Sequence, residues 1–232
     1  MRSRDTAETL PPRTSGKPTT YHRLVDERAH AHESSGELRY RVRCIDKLGF
    51  AFSGSERLLD VGCGDGGVAR LLRERVGEVV AVDVERSAHW SGGPGLTFSV
   101  ADGEELPFED GSFDLVHSKD SLHHMQRPER SLAEYRRVLR PGGTALILEA
   151  NRANPSLYVQ MTLVRGHDHF RSERFRELVR AAFPAPRFGA FEAHYVPGVR
   201  RLLPWQQATE QLLERIALVR PLLAYNFAVA TA

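Results

Sequence analysis

Asp60, Asp83 and Asp102 each lie at or just after an apolar run that is typical of a buried strand. If the three runs form neighbouring parallel strands, their carboxylates meet at one edge of a sheet. Open α/β sheets bind their ligands at this edge. The three residues are therefore the first candidates for a binding site.

These carboxylates favour a cationic adenosyl ligand over a phosphorylated one. A carboxylate accepts charge-assisted hydrogen bonds from ribose hydroxyls, which suits Asp83, and from an adenine amino group, which suits Asp102. Asp60, beside a glycine-rich turn, would repel a pyrophosphate at a helix N-terminus and attract an ammonium or sulfonium. Asp83 alone does not decide, because NAD-binding folds share an acid at that position.

The glycine-rich turn fits two patterns. Gly62, Gly64 and Gly67 match the dinucleotide pattern G-x-G-x-x-G, whereas Gly62, Gly64 and Gly66 match a tighter G-x-G-x-G. The spacing leaves both patterns open at this stage.

His123 and His124 follow the fourth apolar run and are the candidate catalytic residues. An imidazole titrates near neutral pH and suits a general base that deprotonates an acceptor. Adjacent side chains point in different directions, so at most one faces the substrate, and we prefer His123. A structural role for both is the alternative.

A second candidate group lies in a long insertion after the fifth strand, at about 151–171. Tyr158, His167 and His169 are its candidate substrate-binding residues, since long insertions are commonly functional. On a strand His167 and His169 would share a face and could ligate a metal. No carboxylate-rich partner is evident, and we predict no metal.

Strand-like and helix-like segments alternate along the chain, which predicts a parallel, doubly wound α/β sheet. The predicted strands are 57–61, 78–82, 96–100, 112–118, 144–150, 187–195 and 222–230, and the predicted helices are 68–75, 128–139, 172–182 and 205–217. The predicted organisation is a disordered tail at 1–18, an N-terminal helical cap of two helices at 19–50, and a main domain at 51–232.

Composition limits the partners. A net charge of +2 over 232 residues gives no basic stripe, which disfavours nucleic acid. Two cysteines indicate no disulfide framework and favour a reducing cytoplasm. No apolar run reaches the ~20 residues of a membrane span, so we expect no integral membrane segment. We expect a monomer or homodimer.

One later segment, at 198–220, is amphipathic and has arginines at both ends. A helix packed on the sheet is the favoured interpretation. Peripheral contact with a membrane or a greasy substrate is the alternative.

Residues 57–150 resemble the class I S-adenosylmethionine-dependent methyltransferases, in particular the ubiquinone/menaquinone-type and natural-product enzymes. Four ordered segments carry the resemblance: LLDVGCGDG, VVAVDVE, VADGEELPFEDGSFDLVHSKDSLHHM and EYRRVLRPGGTALILEA. The resemblance implies a Rossmann-like sheet of seven strands with a reversed last strand at 222–230. It also implies S-adenosyl-L-methionine as the cofactor and S-adenosyl-L-homocysteine as the product.

The same resemblance implies roles for individual residues. The loop at Gly62 and Gly64 passes under the methionine part, and the Ser118 backbone meets its amino group. Asp83 with the adjoining Val84 holds the ribose, and Asp102 with Gly103 holds the adenine. Lys119 stands where a small or neutral residue is expected, so we expect its side chain to point to solvent.

The leading functional hypothesis is methyl transfer to a small molecule, with O-methylation of a secondary metabolite or quinone-like precursor preferred. N- or C-methylation stays open. A non-methylating reaction on the same fold, such as a pericyclic reaction or a decarboxylation, would leave the same cofactor motifs. An NAD(P) oxidoreductase is the third class.

Overall fold

The structure, a computed structural model, describes residues 35–163, 169–193 and 203–232. Its strands and longer helices alternate along the chain, as the apolar runs predict. The strands are β1 Arg57–Val61, β2 Glu78–Asp83, β3 Leu96–Val100, β4 Phe113–Lys119, β5 Leu139–Ala150, β6 Arg187–Phe191 and β7 Tyr225–Thr231. The helices are α1 Ser35–Asp46, α2 Gly67–Arg73, α3 Pro128–Val138, α4 Ser172–Ala182 and α5 Leu203–Arg215.

The strands form one seven-stranded sheet in the order β3-β2-β1-β4-β5-β7-β6. β1 to β5 pair in parallel, and β7 runs antiparallel to both of its neighbours, β5 and β6. This confirms the predicted mostly parallel α/β fold with a reversed last strand. Because the central strands are covered on both faces, they read as continuous apolar runs.

Helices cover both faces of the sheet. Tyr135 of α3 and Phe175 of α4 are buried against one face, while Ile45 of α1 and Leu72 of α2 are buried against the other. The helices thus hold both faces of the sheet. The loops that follow the parallel strands lie at the carboxyl ends of those strands. β7 starts at the same edge, because its first residue Tyr225 pairs with Ala150 at the end of β5.

Several predicted boundaries differ from those observed. β5 begins at Leu139 rather than at 144, because Leu139 already pairs with Phe113 before an irregularity in the ladder. β7 begins at Tyr225 rather than at 222, because a short helical turn occupies Ala217–Leu222.

The N-terminal predictions are only partly covered by the described residues. α1 lies inside the predicted cap. The predicted tail at 1–18 and the rest of the cap up to 34 lie outside the described residues. None of the helices in the described part is long and apolar enough to cross a bilayer.

Candidate cofactor and acceptor site

The glycine turn between β1 and α2 uses the tighter of the two sequence patterns. Gly62, Gly64 and Gly66 have φ of +75°, +54° and +80°, a region that side chains other than glycine rarely adopt. A Cβ at Gly66 would also lie 2.6 Å from the Phe98 ring. Gly67 is the first residue of α2. The turn is therefore built as G-x-G-x-G.

Asp83 connects the end of β2 to this turn. Its Oδ2 accepts a hydrogen bond of 2.8 Å from the Gly64 amide, and its Oδ1 accepts one of 3.3 Å from the Glu85 amide. Burial raises the pKa of Asp83, although these amides oppose the shift. A carboxylate has about four acceptor positions, so capacity remains for two ribose hydroxyls. The next residue, Val84, is 50% exposed beside it.

Asp60 is buried within the sheet, and one of its oxygens is committed. Oδ1 lies 2.7 Å from Nδ1 of His117, its register partner on β4. Oδ2 is buried and accepts no hydrogen bond from the described residues. This second oxygen fits an ammonium donor of a bound ligand. His117 thus orients Asp60.

Asp102 and Gly103 form the turn after β3. Asp102 Oδ1 accepts a 3.0 Å bond from the Glu104 amide. A Cβ at Gly103 would lie 2.7 Å from Met125 Cε and 3.0 Å from Val61 Cγ1. This position has no room for a side chain, so the turn packs close to the end of β1.

Trp90 braces the glycine turn. Its indole Nε1 donates a 2.8 Å hydrogen bond to the Gly64 carbonyl. Its ring stacks on Phe98 with centroids 5.4 Å apart. Phe98 in turn faces Gly66. The loop is therefore held in place before any ligand binds.

The Ser118 side chain is fully buried under the same turn. Its Oγ lies 2.7 Å from Ser121 Oγ and 3.2 Å from the Tyr135 hydroxyl. A Cβ at Gly62 would collide with the Ser121 side chain. These contacts hold the backbone of β4 in place at its carboxyl end. The predicted contact between the Ser118 backbone and a cofactor stays a prediction.

Glu149, the penultimate residue of β5, holds the candidate catalytic residue His123 at this edge. Its Oε2 lies 2.7 Å from His123 Nδ1, and its Oε1 accepts a 2.7 Å bond from the Leu122 amide. Glu149 has no exposed surface. Burial opposes a charge on His123, but the neighbouring Glu149 carboxylate outweighs this and raises the pKa of His123.

The other histidines differ in their placement. His124 is exposed, with its ring centroid 4.0 Å from that of His123. His169 is buried, and its ring centroid lies 4.1 Å from the ring centroid of His123. Tyr158 is 36% exposed. His167 lies outside the described residues.

Three groups at this edge are close enough to surround a cation. Ligand atoms of His123, Glu149 and His169 all lie within 4.8 Å of one another. The sequence pattern drew attention to His167 with His169, a pair that does not include the carboxylate. Two members of this group, His123 and Glu149, already share the hydrogen bond between Nδ1 and Oε2.

Glu149 and a buried ion pair are the residues that sequence reasoning missed. Glu149 ends an apolar strand, and the rule applied to the three aspartates would have found it. The expectation that Lys119 points to solvent is wrong: its side chain is largely buried and pairs with Asp120, 3.4 Å from the Tyr225 hydroxyl. Asp120 has a φ of +52° and accepts a 3.0 Å bond from the Ala150 amide.

Part of this chain is similar to known proteins. Residues 59–147 match the family model of the methyltransferase domain. The ubiquinone/menaquinone biosynthesis C-methyltransferase of Bordetella avium is 40% identical over 106 residues, which are 41% of this chain and 41% of that protein. The chloroplastic tocopherol O-methyltransferase of Arabidopsis thaliana is 34% identical over 132 residues, 49% of this chain and 38% of that protein.

The chain thus spans about two fifths of the length of these curated relatives. Among solved structures, an S-adenosylmethionine-dependent methyltransferase from Thermotoga maritima aligns with a TM-score of 0.65 and 19% identity, covering 91% of this chain and 97% of that one. At this identity the likeness concerns the fold.

The match at 59–147 and the methyltransferase-like fold support a class I methyltransferase domain. The quinone-biosynthesis relatives support the small-molecule type of this class. The resemblance seen in the sequence at 57–150 is confirmed.

Proposed function

We propose that this protein binds S-adenosyl-L-methionine and transfers its methyl group to a small molecule. The observation that carries the proposal is the bond from the Gly64 amide to Asp83, because it joins the glycine turn to a ribose acceptor. The matched methyltransferase domain and the relatives that methylate carbon or oxygen support it.

The chain offers a matching partner for each part of the proposed cofactor. The second oxygen of Asp60 suits the ammonium group, and the open space at Gly64 suits close passage of the methionine part. Asp83 with Val84 suits the ribose, and Asp102 with Gly103 the adenine. The Ser118 backbone remains our proposed partner for the amino group.

When bound, the cofactor supplies an activated methyl group. The protein has to align the acceptor with it, and positioning of this kind can lower a barrier by ~7–11 kcal/mol. Trp90 holds the glycine turn in place on the proposed cofactor side. Glu149 holds His123 in place on the proposed acceptor side. The turn and His123 both lie at strand ends of one sheet, which is a suitable frame for alignment.

We propose O-methylation of a quinone-like precursor or secondary metabolite, with His123 as the general base. Glu149 fixes the ring through Nδ1, which leaves Nε2 to accept the acceptor's proton. Tyr158, His167 and His169 are proposed to contact the acceptor. In this proposal the protein works in the cytoplasm, as a monomer or homodimer, with neither nucleic acid nor a metal as partner.

The experiment is methyl transfer from methyl-labelled S-adenosyl-L-methionine to a panel of phenols and quinols, with Asp83→Ala as the comparison. We expect label in the acceptor, one S-adenosyl-L-homocysteine per product, and strong loss in the variant. Conversion of an acceptor while the label stays on the cofactor would replace the proposal with a non-methylating reaction. Label on carbon or nitrogen would overturn O-methylation alone.

A further inference from the structure

Exposed large hydrophobic side chains are concentrated in two segments of the described chain. Apart from Val84 and Val100 at the cofactor edge, they all follow β5 or precede β7. They are Tyr158, Val159, Leu163, Trp205, Leu212, Ile216, Leu218 and Leu222. Single exposed apolar residues are normal, but a concentration of this kind marks an interaction surface. We call this set the apolar surface.

Helix α5 presents its apolar side outward, which reverses the usual arrangement of a surface helix. Its acids face inward: Glu210 is 3% exposed and lies 3.3 Å from Lys47 Nζ, and Glu214 lies 2.5 Å from the same atom. Trp205 and Leu212, seven residues apart and thus on one side, are 74% and 59% exposed. These ion pairs attach α5 to Lys47, which directly follows α1. The apolar side of α5 is left exposed to solvent.

The two segments are joined beside the acceptor site. Asn154 Nδ2 donates a 2.8 Å hydrogen bond to the Leu222 carbonyl, and Asn151 Nδ2 donates one of 2.8 Å to Leu223. Asn151 directly follows β5, two residues after Glu149. The apolar surface therefore borders the edge that holds His123.

Within the segment 203–222 the exposed charges have one sign. Between 203 and 222 the charged residues are Glu210, Glu214, Arg215 and Arg220. Both glutamates are paired with Lys47, whereas Arg215 and Arg220 are exposed. The segment Tyr158–Leu163 carries no charge. Exposed apolar residues with two exposed arginines in the same segment complement an anionic lipid surface.

We infer that the apolar surface is a peripheral docking site for an anionic lipid bilayer. Trp205 and the leucines enter the interface, and Arg215 and Arg220 contact lipid phosphates. Docking lays the protein on the bilayer with the acceptor edge beside it, so that an acceptor dissolved in lipid can reach the site. The docking itself does not depend on the proposed methyl transfer.

The test is co-sedimentation of the full chain with vesicles of phosphatidylcholine alone or mixed with phosphatidylglycerol. We expect binding to the mixed vesicles that is about tenfold stronger than to neutral ones and that weakens with salt. Leu212→Gln/Leu218→Gln and Arg215→Gln/Arg220→Gln should each reduce it by about tenfold. Arg130→Gln/Arg174→Gln, on α3 and α4 over the other face of the sheet, is the matched control and should bind normally.

Thermal unfolding confirms that each variant is folded, and methylation of a water-soluble acceptor should be unchanged in the leucine variant. Equal binding of all variants, or no binding to mixed vesicles, would overturn the proposal. A dimer of the full chain that becomes a monomer in Leu212→Gln/Leu218→Gln would assign the surface to a second copy instead. If the full chain binds vesicles as expected but transfers no methyl group, the result would contradict the proposed function and leave the docking proposal standing.

Discussion

His123 and Glu149 are joined by a 2.7 Å hydrogen bond between Nδ1 and Oε2 at the carboxyl ends of β4 and β5. The carboxylate is fully buried, and its other oxygen accepts the Leu122 amide. Glu149 therefore fixes both the tautomer and the orientation of His123. The ring is held with Nε2 as its remaining basic atom.

Removal of the Glu149 charge should shift the pH dependence of catalysis. Glu149 raises the pKa of His123 above its ordinary value, so the base is available only above that raised pKa. In Glu149→Gln this pKa falls, and the acidic limb of kcat/KM moves to lower pH. An unchanged limb would mean that His123 is not the titrating base.

The same pair makes a prediction about stability. A histidine with a raised pKa stabilises the folded protein fully below its unfolded pKa, and this contribution is lost as pH rises through the folded value. The Tm difference between the parent and Glu149→Gln should therefore be larger at pH 6 than at pH 9. A difference that does not change with pH would contradict the charge pairing.

His123→Ala should lower kcat by about 10²-fold or more with little change in cofactor affinity, because general-base catalysis contributes this much. His124→Ala, on the exposed neighbour, is the matched control and should retain most of the rate. The loss in His123→Ala should shrink at high pH, where a phenolic acceptor ionises without help. The opposite ranking of the two variants would assign the base to His124.

Asp83→Ala should weaken binding of S-adenosyl-L-homocysteine by about tenfold or more, since the ribose loses charge-assisted hydrogen bonds. Glu85→Ala is the control, because the backbone amide that Glu85 donates to Asp83 is kept in this variant. Calorimetry measures both. Equal affinity in parent and Asp83→Ala would remove Asp83 from the ribose site.

Gly66→Ala tests the geometry of the turn. Alanine at this position must adopt φ near +80° and lies 2.6 Å from Phe98, so Tm should fall by about 4 °C or more. Gly93→Ala, with no heavy atom within 4 Å of the added Cβ, should leave Tm almost unchanged. Similar Tm values for the two variants would contradict the tight G-x-G-x-G turn.

A chelator distinguishes a base from a metal at the acceptor site. If the hydrogen-bonded pair of His123 and Glu149 acts as the general base without a metal, treatment with EDTA should leave the methylation rate unchanged. Loss of activity that zinc restores in the parent, but not in His169→Ala, would show that His123, Glu149 and His169 hold a metal.

Sequence alone predicts the sheet and the cofactor side of the site, because both depend on local patterns. Buried parallel strands read as apolar runs, and their carboxyl ends locate Asp60, Asp83 and Asp102. The choice between the two glycine patterns needed the backbone φ angles of the turn, because the spacing of glycines in the sequence does not reveal them. The partnership of Asp60 with His117 needed the register between β1 and β4.

The acceptor side was less predictable because its contacts join distant parts of the chain. His169 reaches His123 from within the insertion, and neither residue signals the other in sequence. A long side chain such as Lys119 can turn inward or outward, and a buried Asp120 decides its direction. Glu149 was within reach, since it follows the same strand-end rule as the aspartates.

Calorimetric titration with S-adenosyl-L-methionine, S-adenosyl-L-homocysteine and NADH tests most directly whether the acidic strand ends select a cationic adenosyl carrier. Saturable binding of the first two ligands with no binding of NADH is the expected result. Tight binding of NADH with no heat from either adenosyl ligand would contradict the account.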